Sequence, residues 1–219
     1  MIVAGADVWK GKWVVVVLAN GAFQRGFVAP TFAEAIEGLG DAVVIGVDIP
    51  IGLPRGGERR ACDVAARECV GARRSSVFFT PSLELLSCAS AAEANVLARR
   101  NGWHGVAAQT FALKKQVLAV QPFADTDARI FEVHPEVSFA EAHQNFLAAS
   151  KSTWNGQMIR REILKGLGIS IPDFEAGVGH AEPADVLDAA IVAWSAMRIA
   201  TGTSKTLPAE GQRQSSIRA

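Results

Sequence analysis

Five acidic side chains in this sequence are spaced so that they could meet at one site. Three predicted strands end in an acidic residue, at Asp7, Asp48 and Glu132. A predicted helix near the C-terminus adds Asp185 and Asp188, which lie three residues apart and therefore on one helical face. Ligand sites of open α/β sheets form at the carboxyl ends of the strands. We therefore expect the five carboxylates to converge on one small volume.

Carboxylates that approach each other so closely repel, and divalent cations can neutralise them. A carboxylate site without a histidine or cysteine cluster favours Mg²⁺ or Mn²⁺. Two such ions about 3.5–4 Å apart would activate a water molecule and stabilise the leaving oxygen in phosphodiester hydrolysis. The sequence therefore predicts an Mg²⁺ or Mn²⁺ site that contains Asp7, Asp48, Glu132 and either Asp185 or Asp188.

Each acid also has a purely structural alternative. Asp7 and Asp48 could begin turns after their strands. Asp185 lies in the first turn of its helix, where the helix dipole favours any acid, and simple alternation could place Glu132 in solvent. Asp188 is harder to explain in this way, because apolar residues flank it on both sides. The joint pattern supports a shared site more strongly than any single residue does.

The first three predicted strands form an antiparallel meander. They cover Ile2–Asp7, Trp13–Leu18 and Ala22–Val28. Asn20-Gly21 connects the second strand to the third and is a strong hairpin signal, because both residues tolerate a positive φ.

A helix and a fourth strand follow the meander. Thr31 and Glu34 form a capping box that starts the helix, and the strand covers Val43–Asp48. Its apolar residues indicate burial on both faces, as in a parallel sheet. A strand-helix-strand connection is nearly always right-handed, which most simply places this strand parallel to the first. Asp7 and Asp48 would then end side by side.

The rest of the chain is mostly helical. Glycine and proline signals break the region from about 55 to 127 into short helices. We interpret this region as a helical insertion within one domain over 1–202. The other predicted elements are a strand over 129–133, helices over about 156–167 and 183–200, and a loose polar tail over 203–219.

The composition restricts the partners and the compartment. The 22 basic and 22 acidic residues leave no net charge, so a nucleic acid would have to bind a local basic patch. The apolar runs are too short to cross a bilayer, and no signal peptide precedes the first strand. Three cysteines suit a reducing compartment. We therefore expect a cytoplasmic protein without membrane association.

Four segments of the sequence resemble one known family. They are VDIPIGLP, GARRSSVFFTP, IFEVHPEVSF and DVLDAAIVAW. They are similar to a bacterial family of unknown function whose members are predicted ribonuclease H-like nucleases, and the similarity extends from about Val3 to Ala200. The order of elements also resembles the ribonuclease H fold, particularly its Holliday-junction resolvase branch. The resemblance implies an α/β domain with a mixed sheet, an antiparallel meander plus parallel strands, and an acidic nuclease site.

A second group of residues is typical of a phosphate site. Arg73 and Arg74 precede Ser75 and Ser76, and guanidinium groups bind phosphate in a bidentate manner. Lys151 could reach a phosphate or a scissile oxygen. The alternatives are an arginine pair that is solvated or forms salt bridges to Glu68 and Asp63, and a mobile surface lysine.

His134 could relay a proton to a leaving group, because it follows Glu132 by two residues on the same side of the predicted strand. Alternatively, Glu136 or a backbone carbonyl fixes the imidazole at the strand end.

The main hypothesis is a hydrolase that cleaves phosphodiester bonds in a nucleic acid or nucleotide by two-metal-type catalysis. Its catalytic residues would be Asp7, Asp48, Glu132, Asp188 and His134. One alternative is a nucleotide phosphohydrolase or phosphotransferase, since sugar kinases and actin-like ATPases share the sheet. Those ATPases need two such domains, so this chain would have to form a homodimer. A non-catalytic protein that binds nucleic acid or phosphate is the other alternative.

Overall fold

A mixed sheet forms the centre of the protein. The computed structural model describes residues 1–210 and 216–219, and within them five strands form this sheet in the order β3-β2-β1-β4-β5. The first three strands are antiparallel neighbours, whereas β4 pairs parallel to β1 and β5 pairs parallel to β4. This is the ribonuclease H-like α/β topology that the sequence predicts. The strands are β1 (Ile2–Trp9), β2 (Lys12–Ala19), β3 (Ala22–Ala29), β4 (Val44–Val47) and β5 (Ile130–Glu132).

The predicted hairpin and capping signals form as expected. Asn20 and Gly21 both have positive φ, of 51° and 85°, at the turn between β2 and β3. The Thr31 side chain accepts a hydrogen bond from the Glu34 amide and caps α1 (Phe32–Glu37). This helix connects β3 to β4, and the connection allows β4 to lie parallel to β1.

Helices cover both faces of the sheet. On one face, α1 and α6 (Lys114–Thr126) pack against β1, β2, β4 and β5. On the opposite face, α9 (Pro183–Ala200) packs against β1, β2 and β4. The other helices of the described residues are α2 (Ala61–Cys69), α3 (Leu83–Ser87), α4 (Ala91–Arg100), α5 (Ala108–Ala112), α7 (Pro135–His143) and α8 (Trp154–Gly166), with a 3₁₀ turn over Gly71–Ser76.

Two glycines let α9 lie directly on the central strands. A Cβ added at Gly5 in β1 would be 2.2 Å from the Ala189 carbonyl oxygen and 2.2 Å from the Ala193 amide nitrogen. A Cβ added at Gly46 in β4 would be 2.8 Å from a methyl carbon of Val192. Helix backbone therefore touches strand backbone, and residues near Ala189 are held close to the ends of β1 and β4.

The C-terminal segment differs from the predicted loose tail. Thr206–Leu207 (β6) pairs antiparallel with Ile217–Arg218 (β7), and Arg218 bridges to Val133 just beyond β5. Ile217 and Ala219 are buried against α2 and α7, because their apolar side chains cover the region beyond the β5 edge. The part of the predicted tail at 211–215 lies outside the described residues. In the described parts of the chain, no helix has the length and apolar character needed to cross a bilayer.

Candidate functional site

All five predicted acids line one pocket at the carboxyl ends of β1, β4 and β5. The pocket has a volume of about 760 Å³. Asp7 and Asp188 are buried, whereas Asp48 and Asp185 are partly exposed. The pocket is large enough for a ligand of the size of a nucleotide.

The side-chain alternation of β1 and β4 explains why three of the acids are neighbours. Successive side chains of a strand point to opposite faces, so Asp7 shares a face with Gly5, and Asp48 shares one with Gly46. That face is the one covered by α9. The helix begins at Pro183 and brings Asp188 to the same end of the sheet. Asp7, Asp48 and Asp188 therefore converge from three different elements.

These carboxylates are held in a site that disfavours their charge. Burial, together with the charges of Asp48 and Asp188, raises the pKa of Asp7 well above its ordinary value. Burial also raises the pKa of Asp48 to about 8, with a further contribution from Asp188. Burial raises the pKa of Asp188 and brings that of Asp185 to about 6. The acids repel one another in a poorly solvated pocket, so a cation there would lower their pKa values again.

Lys151 supplies one such positive charge. Its ammonium group donates a hydrogen bond to a carboxylate oxygen of Asp188. Burial disfavours the lysine charge, but Asp188, Asp7 and Asp48 together raise the pKa of Lys151 above its usual value. The side chain is therefore charged at neutral pH and lies among the acids, in an ion pair with Asp188.

Glu132 has a different environment from the aspartates. Its register partner is Val47, which faces α1 and α6, so Glu132 points to the face of the sheet opposite Asp48. Two nitrogens of Arg60 each approach one of its carboxylate oxygens at 2.7 Å, and the Ile51 amide donates to one of them at 2.7 Å. Both oxygens of Glu132 therefore already have donors within the chain.

Arg60 also connects Glu132 to a second buried acid, which the sequence reasoning did not include in the site. The guanidinium group contacts Asp63, whose other oxygen accepts a hydrogen bond from the Thr80 amide at 2.7 Å. Arg60 and Asp63 lie three residues apart at the start of α2, which was the available signal. Nothing local in the sequence indicates that the same arginine reaches Glu132.

Another buried ion pair that the sequence reasoning missed lies beside the pocket. Glu136 in the first turn of α7 pairs with the fully buried Arg160 at 2.7 Å. Arg73 approaches the same Glu136 oxygen at 3.8 Å. The position of Arg160 in an otherwise amphipathic helix gave no distinctive signal.

The structure separates the residues of the predicted phosphate site into two sets. Arg73 and Ser76 line the acidic pocket together with Lys151. Arg74 and Ser75 are exposed and lie outside the lining of that pocket. The Nε atom of Arg73 is buried and has no hydrogen-bond partner within the described chain.

His134 lines the same pocket, at the N-cap of α7. Burial lowers the pKa of its imidazole, although Glu136 and Asp188 act in the opposite direction. A neutral imidazole can accept a proton, as the predicted relay requires.

The carboxylate oxygens of the pocket suit a hard divalent cation, but they are not arranged as a complete set of ligands. Nowhere in the described residues do three histidine, cysteine or acidic side chains already form a cation-binding group. The Asp48 carboxylate accepts no hydrogen bond from the described chain. Its charge raises the pKa of Asp7, and the charge of Asp188 raises the pKa of Asp48. Oxygen donors of this kind are those that Mg²⁺ and Mn²⁺ prefer.

The fold and the pocket define a ribonuclease H-like α/β protein with an acidic site at the ends of its central strands. A family model described as "Protein of unknown function (DUF429)" matches residues 5–213, and the chain belongs to this family. The family resemblance of the sequence motifs is thereby confirmed. A solved structure described as "Thermus thermophilus RuvC structure" is similar over 93% of this chain and 98% of that chain, with 15% identity and a TM-score of 0.36. No curated protein matches the chain significantly.

Proposed function

We propose that the protein is a metal-dependent hydrolase of phosphodiester bonds, of the nuclease type. The observation that carries this proposal is the convergence of Asp7, Asp48 and Asp188 in one pocket, where burial raises the pKa of all three and repulsion by neighbouring aspartates raises those of Asp7 and Asp48 further. Unneutralised acids in such a place are costly for a fold, and a divalent cation with a phosphate ligand would offset that cost.

Asp7 and Asp48 would hold Mg²⁺ or Mn²⁺, with Asp188 and the partly exposed Asp185 completing the site from α9. A bound ion of this kind supplies an activated water molecule and stabilises the charge of the leaving oxygen. Glu132, which is paired with Arg60, would hold the backbone at Ile51, next to the lining residues Ile49 and Pro50, and not ligate the ion directly. This assignment replaces Glu132 as a ligand in the set that the sequence favoured.

The other pocket residues would handle the phosphate and the proton. Arg73 would bind a non-bridging phosphate oxygen through its unpartnered Nε atom, with Ser76 beside it. The Lys151 ammonium would move from Asp188 towards the phosphate when a cation binds there. Neutral His134 would accept a proton from the attacking water or pass one to the leaving oxygen.

Cation binding is the first test of this proposal. Titration calorimetry with Mn²⁺ should show saturable binding to the wild type and its loss in Asp48→Asn and Asp188→Asn, each still folded by circular dichroism. Asp41→Asn removes an exposed acid just before β4 and should bind Mn²⁺ like the wild type. Equal Mn²⁺ binding by all of these proteins would show that the acidic pocket is not the cation site.

Hydrolysis is the second test. Bis(4-nitrophenyl) phosphate is a small diester that does not depend on a long binding surface, and the wild type should hydrolyse it with Mn²⁺ but not in EDTA. A panel of oligonucleotides and nucleoside triphosphates then separates nuclease action from phosphohydrolase or phosphotransferase action. Saturable phosphate binding without any hydrolysis would instead favour a non-catalytic binding protein.

A further inference from the structure

A second cationic surface lies outside the acidic pocket. An open groove of about 580 Å³ runs beside α2 and the 3₁₀ turn, and Arg59, Arg67, Arg74 and Phe79 line it. We refer to these four residues as the arginine groove. Glu68 is the only acidic residue among the groove's lining residues, all of which belong to the described chain. The groove therefore has a net positive charge in a chain whose total charge is zero.

Phe79 holds two of the arginines in place without neutralising them. The guanidinium carbon of Arg59 lies 3.9 Å from the centre of the Phe79 ring, and that of Arg67 lies 4.6 Å from it. Arg67 also donates a hydrogen bond to the Val77 carbonyl oxygen. An aromatic face attracts cations but carries no net charge, so both guanidinium groups keep their capacity to bind an anion.

Ion pairs do not account for this cluster. Within the described chain, none of the three arginines has a carboxylate within salt-bridge distance. Other arginines of the chain do have a carboxylate partner, as Arg60 has Glu132 and Arg160 has Glu136. Three neighbouring, unpaired guanidinium groups repel each other, and a phosphate-bearing ligand would relieve that repulsion.

The groove and the acidic pocket share one wall. In three pairs of consecutive residues, one residue lines the groove and the other lines the pocket. The pairs, with the groove residue first, are Arg59 and Arg60, Arg74 and Arg73, and Phe79 and Phe78. Because consecutive Cα atoms are about 3.8 Å apart, a polyanion could contact both surfaces through adjacent residues. A mononucleotide bound in the pocket would leave the arginine groove unused.

We propose that the arginine groove binds the backbone phosphates of a nucleic-acid strand whose scissile phosphate lies in the acidic pocket. This inference rests on the proposed hydrolase function and specifies a polymeric substrate for it. The contacts are to phosphates, so the groove confers affinity and direction along the strand without reading the bases.

The test compares a groove variant with a matched control. Arg59→Gln with Arg74→Gln removes two exposed groove charges and leaves Arg67, which bonds to the backbone, in place. Arg99→Gln with Arg100→Gln removes two exposed charges from the end of α4, and neither residue lines the groove. Binding of a fluorescent single-stranded oligonucleotide is measured by polarisation at several salt concentrations, in EDTA so that no cleavage accompanies binding.

We expect the groove variant to bind the oligonucleotide about tenfold or more weakly than the wild type at low salt. The slope of log affinity against log salt should fall by about 1.4, since each phosphate contact on a single strand contributes about 0.7. The control variant should match the wild type. Unchanged affinity and slope in the groove variant would overturn the inference, as would a wild type that does not bind the oligonucleotide.

Hydrolysis of bis(4-nitrophenyl) phosphate separates failure of this inference from failure of the proposed function. This small diester should be hydrolysed equally by the wild type and the groove variant. If the wild type hydrolyses the small diester but the groove variant binds the oligonucleotide as tightly as the wild type does, only the inference about the groove is wrong. If the groove variant binds the oligonucleotide more weakly but no diester is hydrolysed, the groove is a binding surface and the proposed hydrolase function is wrong.

Discussion

Replacing Asp48 by asparagine should stabilise the metal-free protein while removing the proposed cation site. Burial raises the pKa of Asp48 from 3.8 to about 8. A group whose folded pKa is raised contributes stability at low pH that is lost as the pH rises from its unfolded pKa towards its folded pKa. The wild type should therefore lose stability between about pH 4 and pH 8, and an asparagine at this position, which does not titrate, cannot contribute to that loss.

The size of the effect follows from this pKa difference. At about 1.4 kcal/mol per pKa unit, the upper limit is about 6 kcal/mol at pH 8 or above. Asp48 is partly exposed in the pocket, so solvent screening reduces this value. We expect Asp48→Asn to raise the free energy of unfolding by about 2–3 kcal/mol at pH 8 and to change it little near pH 4.

The assay is urea unfolding followed by tryptophan fluorescence, at about pH 5 and about pH 8 in EDTA. Asp41→Asn is the matched control, and as an exposed substitution it should change the free energy of unfolding by about 0.5 kcal/mol or less at both pH values. Saturating Mg²⁺ should reverse the order at pH 8, because only the wild type gains binding free energy. The reasoning is wrong if Asp48→Asn is no more stable than the wild type at pH 8 in EDTA.

Two further substitutions test the surroundings of the site. Arg60→Met leaves Glu132 and Asp63 buried without their shared cation and should lower the free energy of unfolding by about 3–5 kcal/mol in urea denaturation; a loss below about 1 kcal/mol would contradict the buried ion-pair network. Gly5→Ala places a methyl group against the backbone of α9 and should prevent stable folding, whereas Gly40→Ala, with no atom near the new methyl group, should give a normal thermal transition. A normal melting curve for Gly5→Ala would contradict the close helix-strand contact.

The sequence predicted the antiparallel meander, the pairing of β4 with β1 and the three aspartates of the pocket because the signals for them are local. A run of apolar residues identifies β4, Asn20-Gly21 identifies the hairpin, and chain connectivity then aligns the ends of β1 and β4. Asp188 could be recognised from its apolar neighbours alone, because a buried acid among them needs a partner or a ligand.

The role of Glu132 could not be predicted in the same way, since it depends on which face of β5 is covered by which helix. The register pairs Glu132 with Val47 and so turns it away from Asp48. Its partner, Arg60, lies in a segment between β4 and α2 without regular secondary structure. A local sequence pattern cannot predict the contact between Arg60 and Glu132, which are far apart in the chain. For the same reason it cannot predict the burial of Ile217 beyond β5.

The direct contact of α9 with β1 also has a consequence for synthesis of the protein. Gly5 and Ala189 lie near opposite ends of the sequence, so the acidic pocket cannot assemble while the ribosome is still making the middle of the chain. Contacts between distant segments form late and slowly. Until α9 docks, Asp7 and Asp48 remain open to water and do not repel a third buried carboxylate. A nascent chain therefore lacks the proposed cation site, and its proposed activity would begin only when folding is complete.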